Sequence, residues 1–407
     1  MDNKIIDVTK DVKWIGVLDY DIRTFDIVMT TEYGTTYNSY FINAEKKAIV
    51  EVAKEIFFDV YINKLNQLTN LSELQYIIVN HTEPDHSGSL KKLLDLAPSA
   101  TVVGSGNAIR FLKDIVNTPF NSLVVKDGDT LSLGNKTLKF ISAPNLHWPD
   151  SIYTYLEDDN TLFTCDSFGA HYCSENMFSE FNANYIETFK YYFDVILKPF
   201  SKHMLKAIDT IKPLKTDYIC TGHGPIHKGE SIKKAIELSE KFASDYVKIT
   251  TNRKDYKILI TYVSAYGYTK EAASIIAKGI EDSGKVKAEI IDIENISAEV
   301  LDEKITLCDG IIAGSPTINQ NTLLPLYTLF ALINPIRDKG KLAGSFGSYG
   351  WSGEAPKIIL ENFKALKLNI FNGNGAVKFS PANEKEEALL NYGRNYTAMF
   401  IAECGKK

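Results

Sequence analysis

The segment His81-Thr82-Glu83-Pro84-Asp85-His86 places two imidazoles and two carboxylates within six residues, directly after the apolar run Tyr76–Val79. A short apolar run of this kind is typical of a buried strand. The segment is therefore predicted to be a loop at the carboxyl end of a strand, where α/β proteins commonly bind ligands. A solvent-exposed polar loop that caps the next helix is the alternative interpretation.

Three further predicted strand ends repeat this pattern and favour a metal site. They carry His147, Asp166 and His223. Four strand ends thus each bring a metal-ligand type of residue to what we expect to be one rim. All seven histidines of the chain lie before residue 228: His81, His86, His147, His171, His203, His223 and His227.

The chain of 407 residues changes character near residue 250. Residues 1–250 carry a net charge of −7, and residues 251–407 carry +1. The polar stretch 250–255 between them is a predicted linker. The first part reads as a mixed α/β sandwich, and the second alternates strands and helices as in a doubly wound parallel sheet. We predict two domains, 1–250 and 251–407.

Composition excludes several classes of protein. The hydrophobic content of 44% and the charged content of 24% are those of an ordinary globular protein. The net charge of −6 argues against nucleic-acid binding, and no apolar run has the length of a membrane helix. The start of the chain has no pattern of a secretory leader. Five scattered cysteines predict reduced thiols in the cytoplasm and exclude a built-in iron–sulfur cluster.

Three loops at predicted strand ends in the second part are typical of a phosphate and flavin site. The first opens a helix and resembles the phosphate loop of flavodoxins, in which backbone N–H groups and hydroxyls hold a phosphate. The other two flank an isoalloxazine ring in flavodoxin-like domains, with Tyr349 and Trp351 as stacking candidates. FMN is favoured over NAD, because a G-x-G-x-x-G motif is absent. The predicted binding residues are Ser264, Ala265, Tyr266, Gly267, Tyr268, Thr269, Ser315, Pro316, Thr317, Ile318, Asn319, Ser348, Tyr349, Gly350, Trp351, Ser352 and Gly353.

The histidine-rich loop resembles that of the metallo-β-lactamase fold, which usually reads H-x-H-x-D-H. Here the second histidine is replaced by Glu83. A carboxylate makes the site harder and more anionic, which suits iron better than the zinc of a hydrolase. Together with the flavodoxin-like second part, the whole chain resembles the flavodiiron proteins, a lactamase-like diiron domain followed by a flavodoxin-like domain.

This resemblance implies a ligand set for two iron ions with a solvent-derived bridge. His81, Glu83 and His147 would bind one iron. Asp85, His86 and His223 would bind the other, and Asp166 would bridge the two. In some family members the histidine equivalent to His86 is turned away from the metal.

Other side chains have smaller predicted roles. His171 is either a residue that supports a ligand or moves protons, or a purely structural one. Tyr191 and Tyr192 either line the metal pocket or belong to the core. We expect His203 on a helix surface and His227 facing solvent.

The resemblance further implies an oxidoreductase that reduces dioxygen to water, with reduction of nitric oxide to nitrous oxide as a second activity. The electron donor would be external: a rubredoxin, a rubredoxin reductase system or a reduced deazaflavin. The resemblance also implies a head-to-tail homodimer, or a dimer of such dimers. Two alternatives stay open, a zinc-dependent hydrolase with an accessory flavodoxin-like domain and a flavin electron carrier with a vestigial metal domain.

Overall fold

A computed structural model describes residues 4–26, 29–251 and 255–404 of the chain. The chain divides into two compact units, Met1–Val247 and Lys248–Lys407. Both units combine β-sheets with helices, which confirms the predicted α/β class. The functional boundary after residue 250 stays a prediction. Thr250 is the last residue of a helix, and residues 252–254 of the predicted linker lie outside the described residues.

Short strands dominate the first unit. In chain order they are β1 Ile6–Asp7, β2 Val12–Trp14, β3 Val17–Asp19, β4 Thr24–Phe25, β5 Met29–Thr30, β6 Thr35–Tyr37, β7 Tyr40–Ile42, β8 Lys47–Val50, β9 Leu74–Ile78, β10 Thr101–Gly104, β11 Asn121–Val124, β12 Thr130–Ser132, β13 Thr137–Ser142, β14 Ile152–Leu156, β15 Thr161–Cys165, β16 Tyr218–Thr221 and β17 His227–Lys228. Within the described residues they form one sheet of order β1-β2-β7-β8-β9-β10-β11 and another of order β12-β13-β14-β15-β16-β17. The pairs β3–β6 and β4–β5 stand apart.

Helices cover the outer face of each large sheet. They are α1 Phe58–Leu68, α2 Pro84–Ser87, α3 Leu90–Leu96, α4 Gly106–Val116, α5 Ala183–Tyr192, α6 Ser201–Ile211 and α7 Glu230–Thr250. Between the sheets, Trp14 and Tyr40 of the first pack with Phe140 and Phe163 of the second in one buried core. Separate apolar clusters join the first sheet to α1, α3 and α4, and the second to α5, α6 and α7. The layers are therefore helix, sheet, sheet and helix, as the lactamase-like resemblance implies.

The ends of four strands place the predicted metal ligands. The histidine-rich loop follows β9, His147 follows β13, Asp166 follows β15 and His223 follows β16. Strands β14 and β15 are buried along their whole length. The loops that carry the ligands therefore start from a rigid, packed scaffold.

The second unit is a parallel sheet covered by helices. Its strands are β18 Tyr256–Tyr262, β19 Val286–Asp292, β20 Gly310–Gly314, β21 Leu342–Tyr349, β22 Asn369–Ile370 and β23 Ala376–Lys378, and its helices are α8 Tyr268–Glu281, α9 Ala298–Leu307, α10 Leu324–Leu332, α11 Ala355–Ala365 and α12 Glu384–Cys404. The sheet order β19-β18-β20-β21-β22 is that of flavodoxins. Neighbouring parallel strands must be joined by a long crossover connection, which is usually a helix, so a chain that alternates strands and helices forms a parallel sheet of this kind.

Two residues that were predicted in the third flavin loop lie on a strand instead. Strand β21 runs on to Tyr349, because residues 347–349 pair with β23. Ser348 and Tyr349 therefore lie on a strand, and the loop begins at Gly350. Among the helices that the structure describes, none has the length and apolar character needed to cross a membrane.

Candidate metal centre and flavin loops

The predicted ligands gather into one buried cluster around Asp166. Its Oδ2 lies 3.1 Å from Nε2 of His147 and 3.5 Å from Nε2 of His81. Its Oδ1 lies 3.0 Å from Nε2 of His86 and 3.7 Å from Nε2 of His223. The two oxygens of one carboxylate thus face two different groups of imidazoles, as a bridging ligand would.

Each group also contains a carboxylate of its own. Glu83 Oε2 lies 3.2 Å from Nε2 of His81 and 3.1 Å from Nε2 of His147. Asp85 Oδ2 lies 2.9 Å from Nε2 of His223. We call these sets the Glu83 group (His81, Glu83, His147) and the Asp85 group (Asp85, His86, His223).

The spacing of these atoms fits metal binding. Two ligand atoms, each about 2.1 Å from one metal ion and separated by a right or tetrahedral angle, lie roughly 3.0–3.4 Å apart. The distances within the two groups, 2.9–3.3 Å, lie in or close to this range. In addition, the buried carboxylate of Asp85 makes no well-formed hydrogen bond among the described residues, although Nε2 of His223 and Nε2 of His86 lie 2.9 Å and 3.3 Å from its Oδ2. A buried carboxylate that faces only imidazole nitrogens is costly unless positive charge balances it, so the cluster fits a pair of metal ions.

The carboxylates of the two groups are held in their ionised form. Burial opposes ionisation of Glu83, but hydrogen bonds with His147 and His81 lower its pKa to about 2. Burial likewise opposes ionisation of Asp85, but the charge of His86 lowers its pKa to about 2. The carboxylates are therefore ionised at neutral pH beside these imidazoles, where metal ions could take the place of the imidazole protons.

Contacts outside the ligand set orient two of the imidazoles. Asp150 Oδ2 lies 3.4 Å from Nδ1 of His81, and accepts hydrogen bonds of 2.8 Å from the backbone N–H and the hydroxyl of Thr82. Nδ1 of His223 lies 2.6 Å from the carbonyl oxygen of Thr36 and donates to it. Each histidine thereby turns Nε2 toward the carboxylates, which is how metal-binding histidines are usually held.

Glu51 is a buried carboxyl that the sequence analysis missed. It follows β8, accepts a 3.0 Å hydrogen bond from the backbone N–H of Asn80, and lies in one group with His86 and Cys165. Burial raises its pKa to about 8, against the opposing charge of His86. The signal was present, since an acidic residue directly after a buried strand is the same pattern that marked Asp166.

The backbone around the cluster is unusually constrained. A Cβ atom on Gly222 would lie 2.7 Å from Cε1 of His86 and 3.0 Å from the carbonyl carbon of Cys165, so only glycine fits there. Cys165 and Phe168, which flank Asp166, both have left-handed φ angles, of 47° and 65°. Left-handed non-glycine residues concentrate at functional sites, where the surrounding structure holds them in place.

His171 and Tyr192 lie beside the ligand cluster. Nδ1 of His171 is 2.9 Å from the hydroxyl of Thr35, and its ring stacks on Phe25 at 4.4 Å and meets Tyr192 edge-on at 4.9 Å. Nε2 of His171 and the hydroxyl of Tyr192 are buried, and neither meets a hydrogen-bond partner in the described part of the chain. Burial, followed by the charge of His223, lowers the pKa of His171, so its ring is neutral. The role predicted for His171 stays a prediction.

The remaining candidates divide into one confirmed position, one surface contact and one correction. His203 is exposed on α6, as expected. The hydroxyl of Tyr191 accepts a hydrogen bond from Thr30 N–H. His227 is fully buried, so its predicted solvent-facing position is wrong. It packs among aromatic side chains that the local sequence around it does not reveal.

Hydrogen bonds connect the three predicted flavin loops. Oγ1 of Thr269, at the start of α8, lies 2.9 Å from Oγ of Ser348, and the backbone N–H of Thr317 donates to the carbonyl of Ser348 at 2.9 Å. Ser264 Oγ accepts hydrogen bonds from the N–H groups of Gly267 and Lys270. The first loop therefore turns tightly into the helix N-terminus, which is the arrangement that binds phosphate.

The tips of these loops expose aromatic side chains. Tyr266 and Trp351 are each 85% exposed, and Ile318 is 37% exposed. Exposed large apolar side chains at the carboxyl end of a doubly wound sheet are suited to an aromatic ligand such as a flavin. A ligand could approach the backbone closely at Gly350, since a Cβ atom added there would meet only Phe379, at 3.5 Å.

Comparisons with known proteins agree with this architecture. A sequence model of the ODP family beta lactamase matches residues 35–224, and one of flavodoxin matches residues 260–393. The flavo-diiron protein FprA2 of Clostridium acetobutylicum is 38% identical over 397 residues, which is 96% of this chain and 98% of that protein. The crystal structure of the flavodiiron protein from Giardia intestinalis is 28% identical with a TM-score of 0.65, and the match covers 99% of this chain and 98% of that one.

A further structure supports the fold alone. The rubredoxin oxygen:oxidoreductase of Desulfovibrio gigas is 24% identical with a TM-score of 0.68, and the match covers 98% of this chain and 100% of that chain. Fold and site together define a lactamase-like metal domain followed by a flavodoxin-like domain. The chain belongs to the flavodiiron protein family. Members of this family are oxidoreductases with FMN and a diiron centre that draw electrons from donors, which confirms the predicted cofactors.

Proposed function

We propose that this chain reduces dioxygen to water at a diiron site that receives electrons through FMN. The observation that carries the proposal is the position of Asp166, whose two oxygens face the Glu83 group and the Asp85 group separately. Two such groups, each with two imidazoles and one carboxylate, match a pair of iron ions in number and in chemistry.

The ligand assignment follows from the two groups. We assign the Glu83 group to one iron, the Asp85 group to the other, and Asp166 to both. His86 is included because its Nε2 is directed at Asp166 and not away from the cluster. When bound, FMN and two ferrous ions together supply the four electrons that convert dioxygen into two water molecules.

Side chains of this chain control the surroundings of the oxidant. Burial and the nearby Asp166 carboxylate raise the pKa of Tyr192, so its hydroxyl keeps its proton at neutral pH. The neutral His171 places a second polar atom, Nε2, in the same region. We propose that Tyr192 donates a hydrogen bond to the bound oxidant, and that the rings of Phe25, His171 and Tyr192 restrict entry of water.

Nitric oxide is the second candidate substrate. The two groups are similar in composition and are joined by Asp166, so the site offers one position for each of two nitric oxide molecules. We infer that rates measured with each oxidant and the same reduced donor will rank the two activities.

The proposed electron donor is a rubredoxin, a rubredoxin reductase system or a reduced deazaflavin. The proposed assembly is a head-to-tail homodimer or a dimer of dimers. Cys165, Cys220 and Cys308, which form no disulfide in the described part of the chain, support the proposed cytoplasmic location.

Metal and flavin analysis followed by dioxygen uptake tests this proposal. The purified protein is expected to contain iron and FMN, and the photoreduced protein is expected to consume dioxygen. The zinc-dependent hydrolase remains the competing hypothesis. Stoichiometric zinc without iron, or iron and FMN without oxidant consumption, would contradict dioxygen reduction.

A further inference from the structure

His227 makes two hydrogen bonds that fix the tautomer of its ring. Nε2 lies 2.8 Å from the carbonyl oxygen of Phe168, and Nδ1 lies 2.8 Å from Oγ of Ser179. A carbonyl oxygen only accepts, so Nε2 carries the hydrogen and donates it to Phe168. Nδ1 then accepts the hydroxyl hydrogen of Ser179.

The acceptor of this bond belongs to the turn that carries Asp166. The backbone N–H of Gly169 donates to the carbonyl of Asp166 at 3.1 Å, which closes the turn. Phe168, inside the turn, has a left-handed φ of 65° and a buried side chain. A residue in this conformation persists only where its surroundings hold it. Among the described contacts, the hydrogen bond from His227 is the one made to the Phe168 carbonyl.

The surroundings of His227 keep the ring fixed and neutral. Phe181 stacks on it at 5.6 Å with an interplanar angle of 17°, and Phe189 meets it edge-on at 6.2 Å. Burial lowers the pKa of His227 to about 4. Strand β17, which begins at His227, pairs with β16, the strand that leads to His223. The ring therefore connects the element that carries His223 with the turn that carries Asp166.

We propose that His227 is a positioning residue for the bridging carboxylate: its Nε2–H holds the Phe168 peptide, and through it the turn that directs the two oxygens of Asp166 to the two metal groups. This inference rests on the proposed diiron function. His227 touches none of the proposed ligands in the described structure, so its effect passes through the backbone.

A matched pair of amide variants separates the hydrogen bond from simple packing. In His227→Gln, the side-chain N–H reaches the position of Nε2 and retains the bond to Phe168. In His227→Asn, the shorter side chain reaches only the position of Nδ1 and loses that bond. The full chain with FMN is stripped of metal and titrated with ferrous iron alone. The readouts are the affinity for the second iron and the magnetic coupling between the irons by EPR and Mössbauer spectroscopy.

We expect His227→Asn to bind the second iron on the order of 10–100-fold more weakly and to lose the coupled signal, as supporting residues of metal sites typically do. His227→Gln should restore most of both. The FMN content of both variants should equal that of the wild type, which shows that the second unit is intact.

Three results would contradict this role. A folded His227→Asn with wild-type iron affinity and coupling overturns the inference and leaves the proposed function standing. A wild-type chain without a coupled iron pair overturns the proposed function and the inference with it. If His227→Asn does not fold, His227→Phe takes its place, because it keeps an aromatic ring among Phe181 and Phe189 and removes the Nε2–H donor to Phe168: weaker binding of the second iron supports the role, and unchanged binding overturns it.

Discussion

Asp166 is the residue on which the metal site depends most. Each of its oxygens lies 3.0–3.7 Å from the two imidazoles of one group, and no other described carboxylate contacts imidazoles of both groups. Its ionised state is maintained although the side chain is buried, because the charge of His86 and hydrogen bonds with His147 and His86 lower its pKa. Loss of this side chain therefore removes a ligand from both irons at once.

Replacing Asp166 should abolish the paired site. Asp166→Ala is expected to weaken binding of iron by at least about 100-fold, more than the loss of a supporting residue, and to remove coupled spectra. Iron content and dioxygen uptake measure the effect. Asp209→Ala, on the exposed face of α6, is the control and should behave as wild type. Full activity of Asp166→Ala would make the bridging assignment wrong.

The variant Tyr192→Phe distinguishes an effect on catalysis from an effect on stability. Tyr192→Phe removes a buried hydroxyl that has no partner among the described residues. The free energy of unfolding should stay the same or rise, because burying a hydroxyl without a hydrogen bond costs free energy and phenylalanine has no hydroxyl to bury. Dioxygen uptake should fall by up to about 100-fold, while iron content is unchanged.

The same helix supplies the control for that substitution. Tyr185 on α5 also has a buried hydroxyl without a described partner, but it packs near His227 and not beside Asp166. Tyr185→Phe should leave uptake unchanged. Equal losses of activity in the two variants would argue against a role for the Tyr192 hydroxyl.

At the scale of elements, the sequence predicts the ligands at the strand ends but not the residues that orient them. The ligands follow apolar runs, and such runs can be recognised from neighbouring residues alone. Thr36, by contrast, orients His223 through its carbonyl oxygen, a group that every residue has. His227 is positioned by Phe181 and Ser179, residues far along the chain, so its burial had no local sign.

The second unit shows a similar division between local and nonlocal information. The phosphate loop was recognisable because Ser264, Gly267 and Thr269 lie within six residues, where a strand leads into a helix. The extension of β21 to Tyr349 depends on pairing with β23, whose residues 376–378 lie far along the chain. Pairing of this kind cannot be read from the loop sequence itself.

Gly222 tests how closely β16 and the histidine-rich loop must approach. In Gly222→Ala, the added Cβ would lie 2.7 Å from His86, which must then move. We expect a loss of about 1–3 kcal/mol in the free energy of unfolding and at least about 10-fold weaker binding of the second iron. Chemical denaturation and iron titration measure the two effects.

Gly106→Ala provides the comparison. A Cβ at Gly106 would meet only Val124, at 3.8 Å, and the position is the first residue of α4. This variant should bind iron as the wild type does, with equal or slightly higher stability. If Gly222→Ala behaves like Gly106→Ala, the close approach at His86 has no role in metal binding.

At the scale of the whole molecule, two compact units are each proposed to carry one cofactor. A ligand that binds only the folded state of a unit stabilises that unit by mass action. Removing iron should therefore lower the unfolding midpoint of Met1–Val247, and removing FMN should lower that of Lys248–Lys407. Calorimetry of the metal-free, FMN-free and complete protein tests this. A shift of both midpoints on loss of either cofactor would contradict the separate assignment.

The most direct test of the central claim is the stoichiometry of dioxygen consumption by the photoreduced protein, measured together with its metal and flavin content. The predicted result is two iron ions and one FMN per chain, with four electrons used for each dioxygen and water as the product. A protein that contains zinc in place of iron, or one that consumes no dioxygen when fully reduced, would contradict the proposed function.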